Sequence, residues 1–88
     1  MSNWTLIFER RAVKDAQLLS RANLLKNADV LLEVVRLNPF QNPPPYEKLR
    51  SDLRGMYSRR INKQHRLVYQ VKKDEKIVRI LQMWTHYE

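Results

Sequence analysis

The sequence predicts an α+β fold of order β-α-α-β-β-β, with two helices covering one face of an antiparallel sheet. Three observations lead there. The hydrophobic period switches from two to helical near Glu9, and back to two after Gly55. Asn38-Pro39 stops the helical pattern, because proline disfavours helical geometry at the residue before it. Two short polar links, NKQ and KKDEK, divide the last third into three apolar stretches. With 88 residues there is room for one sheet and two helices at most, so residues 1–88 read as a single domain.

Residues 3–8 (NWTLIF) are aromatic and β-branched, with Trp4, Leu6 and Phe8 alternating against Asn3, Thr5 and Ile7. This is the pattern of a strand, and Trp4 and Phe8 are assigned to the core. From about Glu9, Ala12, Ala16, Leu19 and Asn23 recur at helical spacing, while Lys14, Asp15 and Gln17 take the other side. A second helix is expected over residues 22–37, where Leu24, Ala28, Leu31 and Val35 form the apolar stripe. In QNPPPYEKL (41–49), three successive prolines fix three φ angles and remove three donors, giving an extended, semi-rigid connector. Residues 47–53 follow as a short turn or helix ending near Gly55. Residues 56–62, 65–71 and 77–87 are the three strands of an antiparallel meander.

Charge narrows the partners. Seventeen Lys+Arg against nine Asp+Glu give a formal net charge of +8, a field that attracts polyanions: nucleic acid, an anionic membrane surface or an acidic protein. The absence of cysteine rules out disulfides and thiolate metal sites, and two histidines give no zinc spacing. No cofactor is called for. No apolar run approaches the roughly 20 residues of a membrane span, and MSNWTLIFERR lacks the basic-then-apolar order of a secretory signal. The expected location is the cytoplasm, with no membrane association.

The stretch SRRINKQHRLVY (58–69) puts three arginines and a histidine where a small core would favour valine. Alternation sets Ser58 and Arg60 on one face of their strand and Tyr57, Arg59 and Ile61 on the other. In the next strand, Arg66, Val68 and Gln70 oppose the apolar set His65, Leu67, Tyr69 and Val71, so Arg66 points away from the helices and His65 is structural. In the last strand, Arg79, Leu81, Met83, Thr85 and Tyr87 alternate with Val78, Ile80, Gln82, Trp84 and His86. Arginines on an open sheet face also serve simply to discourage edge pairing. Their company points further. His86 titrates in the range useful for proton transfer, Glu47 sits on a rigid connector, and the arginines suit phosphate. A base, an acid and phosphate clamps are the parts needed for RNA scission by its own 2′-hydroxyl, without metal. Tyr57 can stack on an unpaired base, with Arg59 on the same strand face as a further substrate contact.

The string S-R-R-I-x-x-x-H-R-L-V-Y, the terminal His86-Tyr87 and NPF at 38–40 strongly resemble the YoeB/Txe branch of the RelE-type toxins of bacterial toxin–antitoxin systems. The resemblance implies a RelE-like microbial RNase fold and an endoribonuclease that cuts mRNA in the ribosomal A site, inhibiting translation. Carried over, it makes Glu47 the general base, Arg66 the phosphate-stabilising group and His86 the acid. Tyr87 matches a penultimate aromatic that supports substrate positioning, and Arg60 a second basic residue near the site. Arg50 stands where close relatives carry lysine, and Glu88 follows a tyrosine at which well-known relatives stop. The implied partners are a cognate acidic antitoxin of the YefM/Axe kind, the 70S ribosome with its mRNA, and a second copy of the chain. Two other readings stay open: a non-catalytic basic RNA- or ribosome-binding module, and the gyrase-inhibiting ParE-like branch of the same superfamily.

Overall fold

The structure of the chain, a computed structural model, describes residues 3–49 and 55–84. These form β1 (Thr5–Phe8), α1 (Arg10–Arg21), α2 (Leu25–Leu37), β2 (Glu47–Lys48), β3 (Met56–Arg60), β4 (Arg66–Lys72) and β5 (Ile77–Gln82). The strands make one five-stranded sheet in the order β1-β5-β4-β3-β2. The α+β class holds, with two differences in the sheet. β1 joins β5 in parallel, Thr5 facing Ile77 and Phe8 facing Ile80, so the sheet is mixed rather than purely antiparallel. Glu47–Lys48, expected in a turn or helix, is a strand paired with β3, and Leu49 N donates to Met56 O at 2.9 Å. The reason is local: the proline connector delivers the chain already extended to the sheet edge.

The helices lie on one face. Ala12 and Leu19 from α1 and Ala28, Leu31 and Val35 from α2 meet Leu67, Tyr69, Val71, Val78 and Ile80 of the sheet. Phe8, assigned to the core from alternation, is 41% exposed on the sheet's edge strand, and Trp4 is only partly buried, edge-on to Phe40. The second helix starts at Leu25 rather than near Ala22 because Asn23 adopts φ +62°. Leu24 N returns to Leu19 O at 2.8 Å and Asn23 N to Ser20 O at 3.2 Å, the paired bonds that close a helix over a left-handed residue. Asparagine tolerates that conformation better than most side chains, so Asn23 is a stop rather than part of the apolar stripe.

Two further departures lie where α1 meets β5. Asp15, assigned to the solvent side, is 5% exposed, and its Oδ2 accepts from Met83 N at 2.9 Å and Trp84 N at 3.2 Å. Arg11 on the same helix donates to Trp84 O at 3.3 Å and lies 3.7 Å from Asp15 Oδ2. The buried carboxylate is therefore a clamp on the backbone leaving β5. The ladder itself slips: Tyr69 faces Ile80 but Val68 faces Gln82, leaving Leu81 as an extra residue. Such a bulge reverses which residues point inward. Met83, grouped with Arg79 by simple alternation, is accordingly buried at 1% exposure together with Val78 and Ile80.

Links are made by side chains. Asn62 Oδ1 accepts from Gln64 N and His65 N at 2.9 and 2.7 Å, fixing the turn between β3 and β4. Lys73–Glu75 forms a 3₁₀ turn closed by Lys76 at φ +56°, leading into β5. Among the described residues no helix is long and apolar enough to cross a membrane.

Removing the carboxylate clamp strands two amide donors in the interior. Asp15→Ala is expected to lose about 3 kcal/mol of unfolding free energy, and Asp15→Asn, which keeps an acceptor, about 1 kcal/mol. Urea midpoints of the three proteins test this, and equal midpoints would remove the clamp from the account.

Candidate active site

Alternation along β3 and β4 divides the sheet sharply. Tyr57 and Arg59 share the helix side with Leu67, Tyr69 and Val71, while Ser58 and Arg60 share the other with Arg66 and Val68. Register sets Glu47 opposite Ser58, so its carboxylate enters the second face at the sheet's edge. Arg66 reaches it from the strand beyond: its Nη1 lies 2.8 Å from Glu47 Oε1 and donates to Ser58 Oγ at 3.1 Å. Glu47 is well exposed, at 68% of its side chain, and Arg66 more enclosed at 21%.

This pair stands between two depressions. One, of about 520 Å³, is lined by Glu47, Met56, Ser58, Arg66, Val68 and Gln82 among others. The second, of about 350 Å³, runs toward the connector past Pro44, Pro45, Tyr46 and Arg60. Glu47, Ser58 and Arg66 border both. A guanidinium held from one side by a hydroxyl, against a carboxylate open to solvent, can exchange that carboxylate for a phosphate oxygen of similar geometry.

Of the residues expected at the site, Glu47, Arg66 and Arg60 come together on this face. Arg50, His86 and Tyr87 lie outside the described residues. Tyr57 and Arg59, expected as substrate contacts, do not join them and lie on the opposite, helix-covered face. Tyr57 is half-buried across the sheet, edge-on to Phe40 and Tyr46 and stacked on Tyr69 at 5.9 Å. Arg59 is 1% exposed, and its guanidinium donates to backbone carbonyls and to the Tyr69 hydroxyl. Burial pushes the Tyr69 phenol above its usual range, with the nearby Arg59 charge opposing the shift. His65 is buried at 2% and its ring stacks on Trp84 at 3.9 Å.

Ser58 was missed as a site residue. The signal was present, since the same alternation that sets Arg60 on the open face sets Ser58 beside it, but a serine in a strand carries little weight alone. Among the described residues no group of three or more His, Asp or Glu side chains is placed to hold a metal ion.

The exposed ion pair carries little of the fold's stability. Glu47→Gln is expected to shift the unfolding free energy by less than about 1 kcal/mol, measured by thermal melting. A larger loss would make Glu47 a structural residue.

The whole arrangement has relatives. A profile of the YoeB-like toxins of bacterial type II toxin–antitoxin systems matches residues 8–87. The chain is 42% identical over 48 residues to Toxin YoeB of Synechocystis, covering 54% of this chain but only 56% of that toxin. The solved YoeB–YefM complex from Staphylococcus aureus contains a chain similar at 32% identity and TM-score 0.78, covering 98% of this chain and 100% of that one. A YoeB/ParE toxin from Agrobacterium tumefaciens superimposes with TM-score 0.82 at 27% identity, over 94% of this chain and 99% of that one. With residues 8–87 spanned by one profile, the chain belongs to the family of YoeB-like toxins of bacterial type II toxin–antitoxin systems.

Proposed function

We propose that this protein is the toxin of such a system and acts as a ribosome-dependent mRNA endoribonuclease. The observation that carries the reading is the 2.8 Å contact of Glu47 with Arg66 on the helix-free face, between two grooves. A base and a phosphate clamp at that separation span a single phosphodiester. A plain RNA-binding surface gains nothing from a carboxylate at its centre, where it repels phosphate. The Glu47 position thus favours catalysis over simple binding.

In the proposed reaction, a phosphate oxygen takes the place of the carboxylate on Arg66, with Arg60 adding positive charge from the adjacent groove. The released Glu47 carboxylate accepts the 2′-hydroxyl proton, and the 2′-oxygen attacks phosphorus. Arg66 stabilises the charge that builds on the non-bridging oxygens. The bond to the 5′-oxygen breaks as His86 donates it a proton, leaving a 2′,3′-cyclic phosphate and a 5′-hydroxyl, and water can then open the ring to a 3′-phosphate. Arg50 and Tyr87 are proposed to hold the flanking mRNA. DNA, lacking the 2′-hydroxyl, is not a substrate. No metal enters these steps.

The experiment is cleavage of a defined A-site codon on purified 70S ribosomes by wild type, Glu47→Ala, Arg66→Ala and His86→Ala. Each substitution is expected to slow cleavage by on the order of 100-fold or more. Full cleavage by all three variants refutes the assignment, and DNA damage without translational arrest on expression assigns the chain to the gyrase-inhibiting branch instead.

The +8 charge calls for an acidic partner, and the antitoxin is proposed to fold a disordered acidic segment over the Arg60–Arg66 face. Its inhibition is expected to weaken as salt rises from 50 to 500 mM (about a threefold fall in screening length). Inhibition that is indifferent to salt would contradict this.

A further inference from the structure

Glu47 belongs to a two-residue strand at the sheet edge, an element too short to hold a carboxylate still by its own ladder. The chain before it offers little help, since three successive prolines supply carbonyls but no N–H donors. Apart from Gln41 Nε2, which donates to Pro43 O at 3.3 Å, the connector needs donors brought from elsewhere.

Arg59 brings them. From the core face of β3 its Nη2 donates to Pro39 O at 3.1 Å and to Gln41 O at 2.9 Å, and its Nη1 donates to Pro44 O. Its Nε donates to Tyr69 Oη at 3.0 Å, and that hydroxyl in turn donates to Pro39 O at 2.9 Å. The guanidinium also lies 5.0 Å from the ring centroid of Tyr46, the residue bonded to Glu47. Tyr46 is further held edge-on by Phe40 and Tyr57. One buried fork thus ties the start and the middle of the connector, and the residue next to the carboxylate, to the centre of the sheet.

We propose that Arg59, with Tyr69 as its support, is a positioning residue for Glu47, acting through the connector and never touching RNA. The proposal rests on the reading of Glu47 as the base. It explains a fully buried guanidinium in a small domain, an arrangement that is costly to desolvate unless its donors are filled. Lysine cannot replace it, because a single ammonium lacks the planar fork that reaches three carbonyls and a hydroxyl together.

The test is a double-mutant cycle in single-turnover cleavage on programmed 70S ribosomes. Arg59→Lys and the near-isosteric Tyr69→Phe are each made alone and with Glu47→Ala. Alone, each is expected to lower the cleavage rate at saturating ribosomes by on the order of 10- to 100-fold, with half-saturation within about twofold of wild type. With Glu47→Ala already present, neither should lower the rate further, because residues that act as one unit do not add. Amide exchange at Leu49, whose N–H bonds Met56 O at 2.9 Å, should quicken in both single variants.

Equal fractional losses with and without Glu47→Ala would overturn the proposal, as would unchanged rates and unchanged Leu49 exchange in a folded Tyr69→Phe. Should Arg59→Lys fail to fold, Tyr69→Phe alone decides. Full activity of Glu47→Ala would instead refute the functional reading, and the exchange measurement would then report on the tether alone.

Discussion

A guanidinium in the interior organises this small protein. Arg59 sits on the helix side of the sheet and fills its donors with main-chain oxygen from Pro39, Gln41 and Pro44 rather than with a carboxylate of the described residues. An ion pair there would neutralise the charge; carbonyl dipoles satisfy it while leaving it intact. The aromatic rings of Tyr46 and Tyr69, with centroids 5.0 and 6.0 Å away, add their negative faces. Phe40, Tyr46, Tyr57 and Tyr69 then pack around it, edge-on or stacked, so that a proline-rich segment without its own ladder becomes part of the core.

With that segment fixed, the sheet has two faces of different character. The helix side holds the apolar set that makes the fold stable. The other side collects Ser58, Arg60, Arg66 and, from the edge, Glu47. Chemistry is confined to the face where charge is cheap to hydrate, while the buried Arg59 does the holding. The Asp15 clamp repeats the logic at the other end of the molecule, with a buried carboxylate accepting from two backbone amides just past β5. Both charged residues are used against the main chain.

Alternation was enough to separate Arg66 from Leu67 and Tyr69, and the structure brings Glu47 and Arg60 to the same face as Arg66. Alternation failed where the period of two is interrupted. A bulge at Leu81 inverts Met83, and no side chain in ILQM announces it. Asp15 and Arg59 were read by residue type as solvent or ligand groups, because their partners are carbonyls and amides 15 to 69 positions away, which composition does not encode. Asn23 was the recoverable miss: an asparagine between two apolar stripes is an ordinary helix stop. The parallel entry of β1 was invisible for a different reason, since a four-residue strand reads the same whichever direction its neighbour runs.

That parallel pairing has a kinetic consequence. β1 leaves the ribosome well before its partner in the sheet, which begins only at Ile77. Until the late strand emerges, the early one has an open ladder and α1 lacks the main-chain amides that Asp15 must cap. Contacts so distant along the chain form slowly, because loop closure precedes their reward. Maturation of the sheet is thereby deferred until β5 has been made, an interval in which the hydrophobic β1 is open to whatever binds nascent chains.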